Sequence, residues 1–439
     1  MLTKLHIAGR LPNNYDTISY RLFFNLLKLL GRPSTAIYTR SILLESSFIQ
    51  NCKERPDHFK YYNLSGVKTL EEQVADDDTG TIIFGIKDHL SGSDYALNVP
   101  MEVAEKVKGL VRSYPDKKFI IMTSLEFLHL SFDEPNAAIV KWGGDILNQQ
   151  LEYQKISPIV DKNFDSHYNF ISLNRHPRGH RHLAVALLHQ LNLESKGLIS
   201  WLSPVHQTHM FNNGFNWAKE LSQSKYNDVF NAGLLKLQNT NKSNFNIDQD
   251  DRYDTVYPDW LISHNIFNWE RKLSTYYKNT FVELVSETTF KEPTLLLTEK
   301  TYHAFLGCNF PILNSTVGTV EHLREIGFDM YDDIIDHSYD TITDPFERVY
   351  TLITKNQELL SNGERTRKLW KNNLDRMLAN VDFMRDRMCK IYEDRFYQDV
   401  NAAIKKLYQV YIYQNILLFQ EKRLSNLYFF FYRVCQYTA

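Results

Sequence analysis

Three groups of residues in this chain have types and spacing suited to chemistry. The first is Thr298-Glu299-Lys300. A Thr ahead of a Glu and a Lys reads as a capped helix start, the hydroxyl accepting from a free backbone N–H. The remaining free N–H groups and the partial positive charge of a helix start suit a phosphate. Lys300 adds a full cation there, and Glu299 offers a carboxylate to the hydroxyls of a sugar or ribose. Glu287 follows the apolar run at 281–285, and ligands of open α/β sheets bind beyond such strand ends. The second group is Arg175, Arg178 and Arg181 in the stretch NRHPRGHRH. Guanidinium forks suit a diphosphate. Basic residues at a helix start oppose its dipole, which makes an anionic partner the expectation. Arg175 sits closest to the strand end and ranks first, Arg181 next. The third group is acidic: Asp88 and Glu126, with Asp145 behind them, each following an expected strand. They are candidates for a general base within reach of an acceptor hydroxyl.

The histidines of the same basic stretch invite a metal reading. His176 and His180 stand four apart, which suits zinc only if a helix already runs through Pro177 and Gly179. No cysteine or carboxylate completes a local set, and no metal is expected. The acidic run at 248–251 lacks the glycine and terminal Glu of a calcium loop.

Strands and helices must alternate to position these groups. Apolar, β-branched runs at 3–9, 81–86, 118–122, 137–142, 169–173, 281–285 and 311–314 read as strands, and 199–203 is a further candidate. Helical spacing marks 20–30, closed by Gly31-Arg32-Pro33, and 103–111. A helix also follows the basic turn as far as Leu193, and another lies between Gly318 and Gly327. Residues 348–406 keep helical spacing with charge pairs four apart. Such alternation predicts parallel sheets. The polar stretch at 161–168 reads as a linker.

A chain of 439 residues is long for one core, so two domains are expected. The net charge of −2 gives no general attraction to nucleic acid or anionic membrane. Cys52, Cys308, Cys389 and Cys435 show no regular spacing and read as buried thiols of a reducing compartment. The N-terminal residues lack a secretory pattern, and no apolar run approaches the ~20 residues of a spanning helix. A cytoplasmic protein is the expectation. The aromatic tail at 408–432 needs cover, by packing back on the amino half, by forming an oligomer or by lying on a membrane surface.

Residues 281–311 resemble the donor-site signature of the α-1,3-fucosyltransferases. In that family a Phe-Glu-Asn-Ser-like turn precedes a Tyr-x-Thr-Glu-Lys helix start and a Val-Pro strand. Here the corresponding residues are Ser286-Glu287-Thr288, Thr298-Glu299-Lys300 and Asn309-Phe310-Pro311. No Asn-Ser follows Glu287 and the loop before Thr298 is longer, so the sugar is left unassigned. The wider pattern covers 165–360. The resemblance implies an α/β fold of two Rossmann-like domains (the GT-B type), with a deep interdomain cleft and a C-terminal helical extension. Residues 1–165 would form the acceptor domain, 166–360 the nucleotide-sugar donor domain, and 361–439 helices that pack back on the core. It implies transfer of a sugar from a GDP- or UDP-sugar to the hydroxyl of a glycan or other acceptor. No permanently bound cofactor or metal is implied; an inverting mechanism is the first reading, and no sequence feature fixes the stereochemistry against a retaining one. Glu287, Glu299 and Lys300 would contact the donor, with Arg175 and Arg181 on its phosphates. The pattern is also similar to transferases of tailed bacteriophages, for which a nucleic-acid acceptor in the host cytoplasm is the alternative. A catalytically inactive scaffold with a transferase fold is the other.

Overall fold

The β-branched and aromatic runs assemble into two parallel sheets joined by helices, a mixed α/β architecture. The computed structural model describes residues 2–7, 34–40, 70–75, 77–87, 99–123, 126–127, 133–141, 156–174, 178–201, 217–238, 273–287, 289–291, 294–295 and 297–408. The expected helix at 20–30, Asp88, Asp145 and the tail beyond Tyr408 lie outside these residues.

The first sheet contains β1 (Leu2–Ile7), β2 (Ser34–Arg40), β3 (Thr81–Lys87), β4 (Lys118–Thr123) and, after the short β5 (Glu126–Phe127), β6 (Ala137–Lys141). Its order is β1-β2-β3-β4-β6, with every pair parallel. Each connection steps the same way, so right-handed crossovers leave their helices on one face. There α1 (Leu70–Ala75) and α2 (Val99–Ser113) supply Val74, Val107, Leu110 and Val111 against Ile82, Phe119, Ile121 and Ala137. The alternate residues Ile83, Ile120, Met122, Ala138 and Val140 point the opposite way, by the period of two along a strand. They need cover from another part of the chain.

The second sheet contains β7 (Phe170–Asn174), β8 (Gly197–Trp201), β9 (Val282–Ser286) and, after the short β10 (Thr294–Leu295), β11 (Phe310–Asn314). Its order is β11-β9-β7-β8, again all parallel. The chain steps from β7 to β8 on one side and returns to β9 on the other. That reversal is a topological switch point between β7 and β9, where crevices form beyond the strand ends in such sheets. The β7–β9 ladder has only the rungs Phe170/Val282 and Ile171/Glu283, so the two strands part toward their carboxyl ends.

Around this sheet lie α3 (Gly179–Gln190), α4 (Trp217–Gln223), α5 (Asn227–Gln238), α6 (Ser274–Lys278), α7 (Glu299–Leu306) and α8 (Thr319–Ile326). They are followed by α9 (Pro345–Lys355), α10 (Gln357–Ser361), α11 (Gly363–Asn372), α12 (Leu374–Asp382) and α13 (Met388–Tyr408). Helices α3 and α5 cross so closely that a Cβ on Gly233 would clash with the Ala186 carbonyl oxygen. The last helix returns to the first sheet. Val400, Ala403, Ile404 and Leu407 of α13 belong to one hydrophobic cluster with Ile83, Ile120, Met122, Ala138 and Val140. Asp399 accepts the Lys141 amide at 2.9 Å, and the Tyr408 and Thr81 hydroxyls meet at 2.8 Å. Thus α13 helps cover the face that sequential, right-handed crossovers leave bare.

Two further features fix the connection between the halves. The segment expected as a linker is docked, because Lys162 inserts its ammonium beneath the second sheet. Nζ donates to the carbonyls of Tyr277, Thr280 and Gly307 and to Asn309 Oδ1, at 2.6 to 2.8 Å. Burial pulls the Lys162 pKa down to about 7, while four oxygens around Nζ favour the charged form. The second connection is antiparallel pairing of β5 with β10, which sets Glu126 opposite Leu295 and Phe127 opposite Thr294. Among the described residues no helix is long and apolar enough to cross a membrane.

Candidate functional site

The carboxyl edge of the second sheet gathers several of the residues singled out above. Glu287 follows β9 directly and is fully buried. Its Oε1 accepts the Thr298 amide at 3.0 Å and the Thr301 hydroxyl at 2.6 Å; Oε2 accepts the Thr298 hydroxyl at 2.6 Å. The carboxylate therefore pins the start of α7 to the end of β9. An anion at a helix N-terminus is favourable by its dipole, and here the chain provides that anion. Thr298 caps α7 as its spacing predicts, accepting from the Lys300 amide at 3.5 Å. Lys300 is half-buried, and its Nζ donates to Thr298 Oγ1 at 3.0 Å. Glu299 opens the first turn of α7.

The basic stretch meets the same edge from α3. Arg181 is 1% exposed, and its guanidinium donates to the Ser286 and Glu287 carbonyls, both at 3.0 Å. His180 approaches the Glu287 carbonyl with Nε2 at 3.0 Å. Burial, with the Arg181 and Arg178 charges beside it, holds the His180 pKa well below the usual imidazole range. The ring is neutral, and the carbonyl contact makes Nε2 the protonated nitrogen. These two side chains take up carbonyl oxygens at the end of β9, past the last β7–β9 rung. Arg175 and His176 lie outside the described residues. Arg178 is half-buried at the N-cap of α3, where no side chain caps the helix.

Phe290 holds the turn after Glu287. His180 stacks on its ring at 4.7 Å between centroids, and the Arg348 guanidinium lies 4.0 Å from the ring centre. Arg348 also donates to the Phe290 carbonyl at 2.5 Å. The turn is fixed by packing on the ring and a hydrogen bond to the backbone.

Residues with no motif around them also reach this edge. Asn174 ends β7, Asn314 ends β11, Ser315 follows it, and Thr289 lies two residues past Glu287. All four are buried, and each carries a side-chain oxygen without a hydrogen-bond partner: Asn174 Oδ1, Asn314 Oδ1, Ser315 Oγ and Thr289 Oγ1. Strand-end polarity was the only sequence signal for them. Deeper in β9, Glu283 is buried with Oε2 accepting the Tyr277 hydroxyl at 2.7 Å, and its Oε1 is likewise unpartnered.

Of the acidic candidates from the first half, Glu126 is placed by its backbone in β5, against the segment that leads to Thr298. Asp340 caps α8, accepting the Val320 and Glu321 amides at 3.1 Å. Tyr339 accepts the Leu313 amide at 3.0 Å and lies 3.1 Å from His337 Nδ1. These contacts lie within the carboxyl half and fix β11 and α8. The carboxyl edge of this parallel sheet, with its switch point between β7 and β9, thus carries a cation, Lys300, and buried oxygens able to accept from hydroxyl or N–H groups. No family model, curated protein or solved structure matches the chain.

Proposed function

We propose that the chain is a metal-independent glycosyltransferase of the GT-B type, moving a sugar from a nucleotide-activated donor to an acceptor hydroxyl. One observation carries the reading. Lys300, the α3 start and the unpartnered oxygens of Asn174 and Asn314 all lie toward the carboxyl end of the second sheet, whose β7/β9 switch point is where nucleotides bind in sheets of this kind. The donor diphosphate would lie against Lys300, with Arg175 and Arg178 from the turn after β7. As the sugar–phosphate bond breaks, negative charge grows on the leaving diphosphate, and cations aimed there stabilise the transition state more than the ground state. Positive charge develops on the sugar ring, as in glycoside hydrolysis, and Glu299 is the carboxylate to hold donor hydroxyls. Glu287, Thr298 and Arg181 serve as the frame that sets Lys300 and the β9 end in position. Glu126 or Asp88 would take the proton of the acceptor hydroxyl in an inverting displacement. The β5–β10 pairing supports Glu126, because it draws that residue's backbone to the segment entering Thr298.

The rival reading is a scaffold without activity, and one observation favours it: Glu287 already provides the α7 start with an anion. Calorimetry with GDP- and UDP-sugars, without added metal, separates the two. The proposal expects one nucleotide class to bind and Lys300→Ala to weaken it by roughly tenfold or more, since a charged hydrogen bond contributes about 1.5–3 kcal/mol. Absence of binding to the folded protein, or binding indifferent to Lys300→Ala, would overturn it.

A further inference from the structure

Buried polar atoms in native proteins almost always have partners, and exceptions call for an explanation. Asn174 and Asn314 are at most 1% exposed, and the Oδ1 of each has no hydrogen-bond partner. Their amides cannot simply be turned over. Asn174 Nδ2 donates to the Ser172 carbonyl at 3.3 Å and to Ser172 Oγ at 3.0 Å. Asn314 Nδ2 donates to Ser286 Oγ at 3.2 Å and to the His180 carbonyl at 3.4 Å. Reversal would set an amide oxygen against a carbonyl oxygen in both cases. Each residue therefore presents an acceptor, and only an acceptor, on its remaining side.

The two acceptors flank β9 on the sheet's carboxyl edge, since the order is β11-β9-β7. Past the last β7–β9 rung the two strands part, so the acceptors stand on either side of the β9 end, further apart than the ~10 Å of two paired strand spacings. The Ser315 and Thr289 hydroxyls, also unpartnered, border the β11 and β9 ends of the same edge. A phosphate needs donors and gains nothing from amide oxygens. Hydroxyl groups, or the N–H groups of a base, are the complement of this edge.

We infer that Asn174 and Asn314 form a hydroxyl-recognition subsite, taking the ribose or sugar hydroxyls of the ligand whose diphosphate lies at Lys300. The inference rests on the donor-site reading above and adds the residues that read the uncharged part of the ligand. Its logic is that of sites built to hydrogen-bond a hydroxyl: a ligand lacking the group leaves a buried acceptor unmet and is rejected.

Calorimetry on the full chain tests it, with GDP, UDP, their sugar conjugates, the 2′- and 3′-deoxy nucleotides, guanosine, uridine and inorganic pyrophosphate as probes. Asn174→Ala and Asn314→Ala should each weaken the bound nucleotide about tenfold and leave pyrophosphate affinity unchanged. The corresponding deoxy nucleotide should bind unmodified protein about tenfold more weakly; if only the sugar conjugate responds to the variants, the hydroxyls read are those of the sugar. The ligand-side comparison holds even where a variant fails to fold. Nucleotide binding that depends on Lys300 but ignores both asparagines and every removed hydroxyl would overturn the inference and leave the donor-site reading standing; the oxygens would then serve internal water. Nucleoside binding that depends on the asparagines, without any diphosphate contribution, would uphold the subsite and overturn the donor-site reading. No binding of any probe would overturn both.

Discussion

Glu283 carries a proton that the unfolded chain would release well below neutral pH. It sits on the last β7–β9 rung, fully buried, with the Tyr277 hydroxyl on Oε2 and nothing on Oε1. Burial pushes its pKa up to about 8, against the pull of the Tyr277 hydrogen bond and of Lys300 and Lys162, and the Glu287 charge adds to the rise. A carboxyl raised in the folded state contributes stability that is fully present below its unfolded pKa, near 4.5, and is lost as pH rises through about 8. Glu283→Gln is neutral at every pH and escapes that loss. Urea denaturation of both proteins at pH 5, 7 and 9 should show the variant gaining on the parent by on the order of a few kcal/mol across the series. A pH-independent difference would mean that Glu283 does not titrate in this window. The sequence made Glu283 look like one more polar residue in an apolar run, because a strand pattern does not reveal whether its neighbour is a lysine or a tyrosine. Arg181 was opaque for a similar reason. A basic residue after a strand is visible, but its engagement by the Ser286 and Glu287 carbonyls depends on strands that part after two rungs.

At the scale of elements, the long periodic segments were legible and the short paired ones were not. Strands expected from apolar runs form at β3, β4, β6, β7, β9 and β11, within a residue or two of their expected ends. The Thr298 cap was legible because N-cap chemistry is local. By contrast β2 stands directly behind Gly31-Arg32-Pro33, whose stop signal reads as loop, and it owes its strand state to parallel neighbours on both sides. The two-residue strands β5 and β10 have no periodicity to read and exist only through each other. The join between β9 and α7 was half legible: its residues were evident, but the direct bonding of Glu287 to Thr298 and Thr301 was not. That bonding predicts a graded response. Thr301→Val removes one hydroxyl and should cost about 1 kcal/mol, whereas Glu287→Ala leaves the Thr298 amide and two hydroxyls unmet and should cost about 3 kcal/mol or more. Hydrogen exchange should quicken at the amides of residues 298–302 in Glu287→Ala. Unchanged exchange there would show that α7 is held by its packing on β9 alone.

At the scale of the whole molecule, two devices keep the sheets from behaving as separate bodies. Helix α13 covers a face that the first sheet's own crossovers cannot reach. The β5–β10 ladder ties the segment after β4 to the segment before α7. If transfer takes place at the carboxyl edge, an acceptor must come close to this ladder, and whether the ladder opens during turnover becomes measurable. Directly opposed residues in an antiparallel pair have Cα atoms about 4.5–5.5 Å apart, inside the range a disulfide spans. The double variant Phe127→Cys/Thr294→Cys should therefore oxidise in air, shown by loss of two reactive thiols in the denatured protein. Closing so long a loop should raise unfolding stability by about 2–4 kcal/mol relative to the reduced form. Nucleotide binding at Lys300 should be the same in both forms, because the Glu287–Thr298 frame is untouched. A ladder that must part to admit the acceptor predicts sugar transfer that falls on oxidation and returns with reductant. Equal transfer by both forms would make the ladder a permanent wall of the site, with the acceptor entering from elsewhere along the edge. Thiols that stay free in air would remove the ladder itself, and with it the structural support for Glu126 over Asp88 as the base.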